Sequence, residues 1–270
     1  MILILLIIGL LIGAILGLTG AGGSLLAMPL LLVVLKLPPT AATGLALGVV
    51  AASSLYGVIQ HFSHKKILWV PAILFSISGA LFAPVGRVAA AYVPDTLLLI
   101  GFSLLSLIIA VHMLWQSIRK PEEALIVRAA NGDAPIESLL CRFNDKQSFD
   151  WRLPCVASLA VGGLVTGLLS GFFGVGGGFL IVPFLNLLNG ISMRNAVATS
   201  LVIIAVISTS GFLTHLMMQP VNWQQLGFLG IGGIAGMVLG SALAKRLAGA
   251  HLQQIFALSI IAMAVVIFFR

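Results

Sequence analysis

Apolar residues run along this chain in ten stretches, each divided from the next by glycine, proline or a small group of charged residues. In the first half they cover 2–18, 24–36, 41–60, 67–89 and 96–116; in the second, 155–172, 178–189, 195–214, 223–245 and 250–269. Most come close to the roughly 20 residues that a helix needs to cross the hydrocarbon of a bilayer. A transmembrane barrel would instead show short strands of alternating polarity. The expected fold class is therefore all-α, a polytopic membrane protein with two repeats of about five hydrophobic helical segments each. Segments 24–36 and 178–189 would span only about 18–20 Å at 1.5 Å per residue. They either tilt across the bilayer or enter and leave on one side.

The two series are copies of one another. Gly17, Gly20, Gly22, Gly23, Leu26 and Pro29 meet Gly171, Gly174, Gly176, Gly177, Leu180 and Pro183 at one constant offset. At the same offset Gly57 and His61 match Gly211 and His215, Trp69 matches Trp223, and Gly79, Gly86 and Phe102 match Gly233, Gly240 and Phe256. Apolar matches are cheap in such a chain, so the ordered Gly, Pro, His and Trp matches carry the argument. The division is 1–116 for the first membrane repeat, 117–152 for a cytoplasmic linker and 153–270 for the second repeat. The linker holds six of the seven acidic residues together with an Asn-Gly pair and mixed charges, the composition of a solvated loop.

Composition agrees: 60% of the 270 residues are hydrophobic and 8% charged, against about 25% charged in soluble domains. In a soluble protein a net charge of +7 would suggest nucleic acid, but here the bases sit in loops and at span ends. Their placement reads as membrane orientation. With an odd number of crossings per half and the N-terminus outside, 11 bases fall inside and three (Lys36, Arg87 and Arg270) outside; with four spans per half the best split is 9 against 5. The positive-inside rule thus favours inverted repeats, the architecture of many secondary transporters, with a site near the midplane where the repeats meet. The expected orientation leaves the N-terminus outside and the central linker in the cytoplasm. The first 18 residues lack a basic start and run straight into the glycine motif, so they read as a retained span. Cys141 and Cys155 lack C-x-x-C spacing, and no disulfide, metal or cofactor framework is indicated.

Carboxylates within the membrane are the usual proton and cation relays, and no Asp or Glu lies inside an apolar segment. What remains is glycine-opened backbone with hydroxyls and histidines. Free N–H groups where a helix starts, with the positive end of its dipole, favour an anion. The candidate substrate-binding residues are Gly20, Gly22, Gly23, Ser24 and Thr43 from the first half and Gly174, Gly176, Gly177, Gly178, Thr199 and Ser200 from the second. Thr43, Thr199 and Ser200 open their segments, where ordinary N-capping competes with ligand binding. His61 and His215 are candidates for coupling protons; the plainer alternative is an interfacial histidine bonded to water or carbonyls. Small residues also let membrane helices pack closely, but helix contact asks for spacing of four and not for adjacent glycines. No P-loop, dinucleotide fingerprint or H-E-x-x-H is present, which speaks against an enzyme.

At Gly17 to Pro29 and Gly171 to Pro183 the chain resembles the sulfite exporter TauE/SafE family, whose members carry a G-x-x-G-x-G-G-type motif once in each half. The resemblance implies an inner-membrane permease that in some members exports sulfite or small organosulfonates. The first copy departs in having Ser24 where the second has Gly178. No cysteine lies within either motif, so a carrier using cysteine relays is not supported. The expected partners are a small anionic substrate and membrane lipid, with no nucleic acid; a homo-oligomer stays open. The competing reading is a passive anion channel or an assembly subunit whose glycines serve packing alone.

Overall fold

The protein is described by a computed structural model over residues 2–20, 23–62, 67–119, 153–178 and 193–244 and the single positions 181, 258 and 261, the side chains of 112–119, 153–154 and 193–194 excepted. Eight helices lie among these residues: α1 (Ile2–Thr19), α2 (Gly23–Leu35), α3 (Pro39–Phe62), α4 (Trp69–Ala91), α5 (Asp95–Arg119), α6 (Leu153–Phe173), α7 (Met193–Met218) and α8 (Trp223–Ala244). There is no strand among them. Six are long and apolar enough to cross a membrane, all but α2 and α5. Leu3, Ile59, Leu81, Val161, Leu213 and Ile231 are exposed on them, as lipid-facing positions should be. The expected segments 178–189 and 250–269 lie outside the described residues apart from 178, 181, 258 and 261.

Local chemistry sets the helix ends. Lys36 takes a left-handed φ of 51° just after α2. Pro38 then supplies the carbonyl that accepts from the Ala42 N–H, and Pro39 stands at the first position of α3, where its missing N–H is no loss. Asn222 caps α8 through Oδ1, which accepts from the N–H groups of Gln224 and Gln225 at 3.1 and 3.2 Å. Trp69 and Trp223 open α4 and α8 and are both exposed. Inside α4, Pro84 cannot donate to the Ala80 carbonyl four residues back. Ser210 of α7 donates to that carbonyl instead, at 2.7 Å, the kind of repair by a neighbouring hydroxyl that lets proline persist in membrane helices.

The two halves interlock. The most extensive contacts pair α1 with α8 and α4 with α6, so the first helix of each half packs on the fourth of the other; α3 and α7 face each other between these pairs. Glycines make the pairings close. On α1, a Cβ at Gly9, Gly13 or Gly17 would strike the backbone of Leu229, Gly233 or Met237. The equivalent contacts set Gly163, Gly167 and Gly171 of α6 against Phe75, Gly79 and Ala83 of α4. In both pairs residue numbers rise together, so the helices run parallel. Across α3 and α7 the order reverses: Gly44 meets His215, Gly48 meets Phe212 and Gly57 meets Leu201. Cys155, fully buried near the start of α6, is disulfide-bonded, which cysteine spacing alone did not indicate.

Candidate functional site

Each glycine motif begins as a helix terminator. Gly20 and Gly174 have φ of 72° and 70°, and their N–H groups donate to the carbonyls of Leu16 and Ser170 at 2.7 and 2.8 Å. A left-handed residue bonded back four positions is the αL cap, which glycine adopts without a Cβ penalty. The amides of Gly20 and Gly174 are therefore engaged in closing α1 and α6. In the second motif the chain turns again through Gly176 and Gly177, at φ of 72° and 68°, and resumes helical conformation at Gly178. Successive amides in such a turn form a concavity suited to anions. Gly22 lies outside the described residues; Gly23 is the first residue of α2 and abuts Ile12 and Leu16 of α1.

Each turn is held by the opposite half. The Gly20 turn packs on Val197 of α7, and its carbonyl accepts from Ser200 Oγ at 3.0 Å. The Gly174 turn packs on Thr43 of α3. The two motifs meet at the centre: a Cβ at Gly176 would lie 2.8 Å from Ser208 Oγ, 3.0 Å from Val50 Cγ1 and 3.4 Å from Ser24 Cβ. Val50 and Ser208 stand near the middle of α3 and α7. Gly176 of one motif and Ser24 of the other thus come together midway along the two facing helices.

The hydroxyls there divide by use. Thr43 donates to the Pro39 carbonyl at 2.8 Å, and Thr199 Oγ1 accepts from the Leu68 N–H at 3.1 Å. None of Thr43, Thr199 and Ser200 is an N-cap, because α3 and α7 start four or more residues earlier. Ser54 donates to the Val50 carbonyl at 2.6 Å. Ser170 and Ser208, beside Gly177 and Gly176, are buried with hydroxyls that find no partner among the described residues. Buried polar groups are nearly always bonded, so such hydroxyls mark places where something polar can be received.

The two repeat-related histidines have diverged. His61 is half-buried, and its Nδ1 sits 2.9 Å from the Gly57 carbonyl of its own helix. His215 is 1% exposed, and its Nδ1 lies 2.9 Å from Nη2 of Arg87, itself 2% exposed. The counterpart of Arg87 in the second half is Ser241, which donates to Gln60 Oε1 at 3.1 Å. Arg87, expected among the bases at span ends outside, is carried inside the protein by α4. Its partner is 128 positions away, and the only sequence signal was a lone base within an apolar helix.

A model of the sulfite exporter TauE/SafE family matches residues 5–267. This chain belongs to that family. Among curated relatives of this TauE/SafE protein, a probable membrane transporter protein of Xylella fastidiosa strain Temecula1 is 31% identical over 263 residues, covering 96% of the chain and 92% of the relative. The probable membrane transporter protein YunE of Bacillus subtilis is 25% identical over 252 residues, covering 90% and 89%. No solved structure matches the chain. With six candidate spans among the described residues, the TauE/SafE protein is a multi-pass membrane transporter.

Proposed function

We propose that this protein is a secondary carrier of a small anion, sulfite or an organosulfonate, and that the two glycine motifs form its site. The observation that supports the reading is the meeting of Gly176 with Ser24 between the midpoints of α3 and α7. Backbone amides of Gly22, Gly23, Gly176 and Gly177 hold the anionic oxygens, with hydroxyls nearby. The sulfur oxyanion itself is suggested by the family's description. In proteoliposomes loaded with unlabelled sulfite, a carrier accumulates labelled sulfite by counterflow. A passive pore or a packing subunit shows no such trans-stimulation, and that result would remove the carrier reading.

The repeats are inverted in this reading. Its support is that α3 and α7, equivalent in sequence, run in opposite directions, whereas α1 is parallel to α8 and α4 to α6. With Arg87 withdrawn from the solvent-facing bases, the charge split becomes 11 against 2, which suits an N-terminus outside a bacterial inner membrane and a cytoplasmic linker at 117–152. A fluorescent protein that folds only in the cytoplasm should light up when inserted in that linker and stay dark at the N-terminus. The opposite pattern overturns the orientation.

A further inference from the structure

We propose that Arg87, oriented by His215, is the fixed positive charge that binds the transported anion beside the second glycine turn, and that it selects singly charged oxyanions. The proposal rests on the anion-carrier reading and adds to it the residue and the charge rule. Arg87 is the one charged side chain of the described helices that lies away from a first or last turn; Asp95, Arg119 and Arg194 stand at helix ends. It is almost wholly buried, and its Nε has no partner among the described residues. A buried charge without a counter-charge is expensive, and ionisable groups within membrane spans generally face a pathway or a partner.

The local chemistry leaves the guanidinium ready for an anion. Guanidinium groups only donate, so His215 Nδ1 accepts from Nη2 and the neutral ring carries its proton on Nε2. The imidazole cannot neutralise the arginine; it holds the planar fork in place. The far edge of the ring fills the space that a side chain at Gly44 would need, next to Thr43, on which the Gly174 turn packs. On the other side, Gly171 at the head of the same motif lies against the Arg87 backbone. The buried fork therefore stands at the second motif, whose neighbouring Ser170 hydroxyl also has no partner among the described residues. Among the described residues the first motif has no such charge, and Ser241 occupies the equivalent place. One buried cation cancels a monoanion, whereas a dianion leaves a net charge in a low-dielectric interior, where each uncompensated charge is costly.

The test uses the full-length protein in detergent, with thermal stabilisation read against methanesulfonate as monoanion, sulfate as dianion and dimethyl sulfone as the uncharged analogue. Sulfite counterflow on the wild type runs alongside. Methanesulfonate should stabilise the wild type and dimethyl sulfone should not, with sulfate weaker than methanesulfonate. Arg87→Gln should weaken methanesulfonate binding at least about tenfold, the scale of a lost charged hydrogen bond, and Arg87→Lys should recover part of it. Equal binding by a folded Arg87→Gln protein overturns the proposal while leaving the carrier reading intact. Sulfate binding as tightly as methanesulfonate to the wild type overturns it without any variant. A wild type that binds neither anion and shows no sulfite counterflow removes both.

Discussion

Valine in place of Gly176 should leave the protein in the membrane at wild-type abundance and reduce sulfite transport to background. Gly176 holds a φ of 72°, a region costing a residue with a Cβ about 1–2 kcal/mol and a β-branched one more. Its Cβ would also come within 3.0 Å of Val50 Cγ1 and 2.8 Å of Ser208 Oγ. Relief requires the turn to move, and with it the amides proposed to hold the anion. The helices on either side keep their own packing, so insertion and folding survive. The measurement is counterflow in proteoliposomes containing matched amounts of purified protein. Transport at the wild-type rate would detach Gly176 from the site.

Leucine at Gly13 or at Gly167 should do the opposite kind of damage and cost the fold itself. A Cβ at Gly13 would run into the Gly233 carbonyl, and one at Gly167 into that of Gly79, the equivalent contact in the other helix pair. Both obstacles are backbone, which no rotamer change can move aside. Overpacking commonly costs about 1–3 kcal/mol and sometimes more, and here it falls on the seams that join the two halves. Leucine is a better helix former than glycine by several tenths of a kcal/mol, so any loss comes from packing and not from the helix. Size-exclusion profiles and melting temperatures should show both variants aggregating or melting well below the wild type, to similar extents. A wild-type melt for either variant would mean that the α1–α8 and α4–α6 seams do not hold the halves together.

The contrast between these substitutions shows how far the glycine motif could be read in advance. Its repetition marked it as more than composition, and the two left-handed caps and the turn at Gly176 and Gly177 agree with a backbone that only glycine adopts easily. The expectation that packing and turning were rival explanations did not hold. Gly17 and Gly171 continue the four-residue seams of α1 and α6, while Gly20, Gly174, Gly176 and Gly177 make the turns. Similarly, Thr43, Thr199 and Ser200 looked like helix openers. Thr199 instead ties α7 to the start of α4 and Ser200 ties it to the Gly20 turn, while Thr43 bonds back to the Pro39 carbonyl of its own helix. Arg87 and His215 could not be paired from sequence, since each alone resembles an ordinary residue near a span end.

The sequence by itself determined the helical membrane class and most limits of the described helices, because the free energy of placing a segment in lipid is summed residue by residue along a short stretch of chain. Only the tertiary structure decided which glycines pack and which turn, and that Arg87 meets a histidine from the other half. Those outcomes depend on where helices far apart in the chain come within a few ångströms of one another. No local sum over residues contains that information.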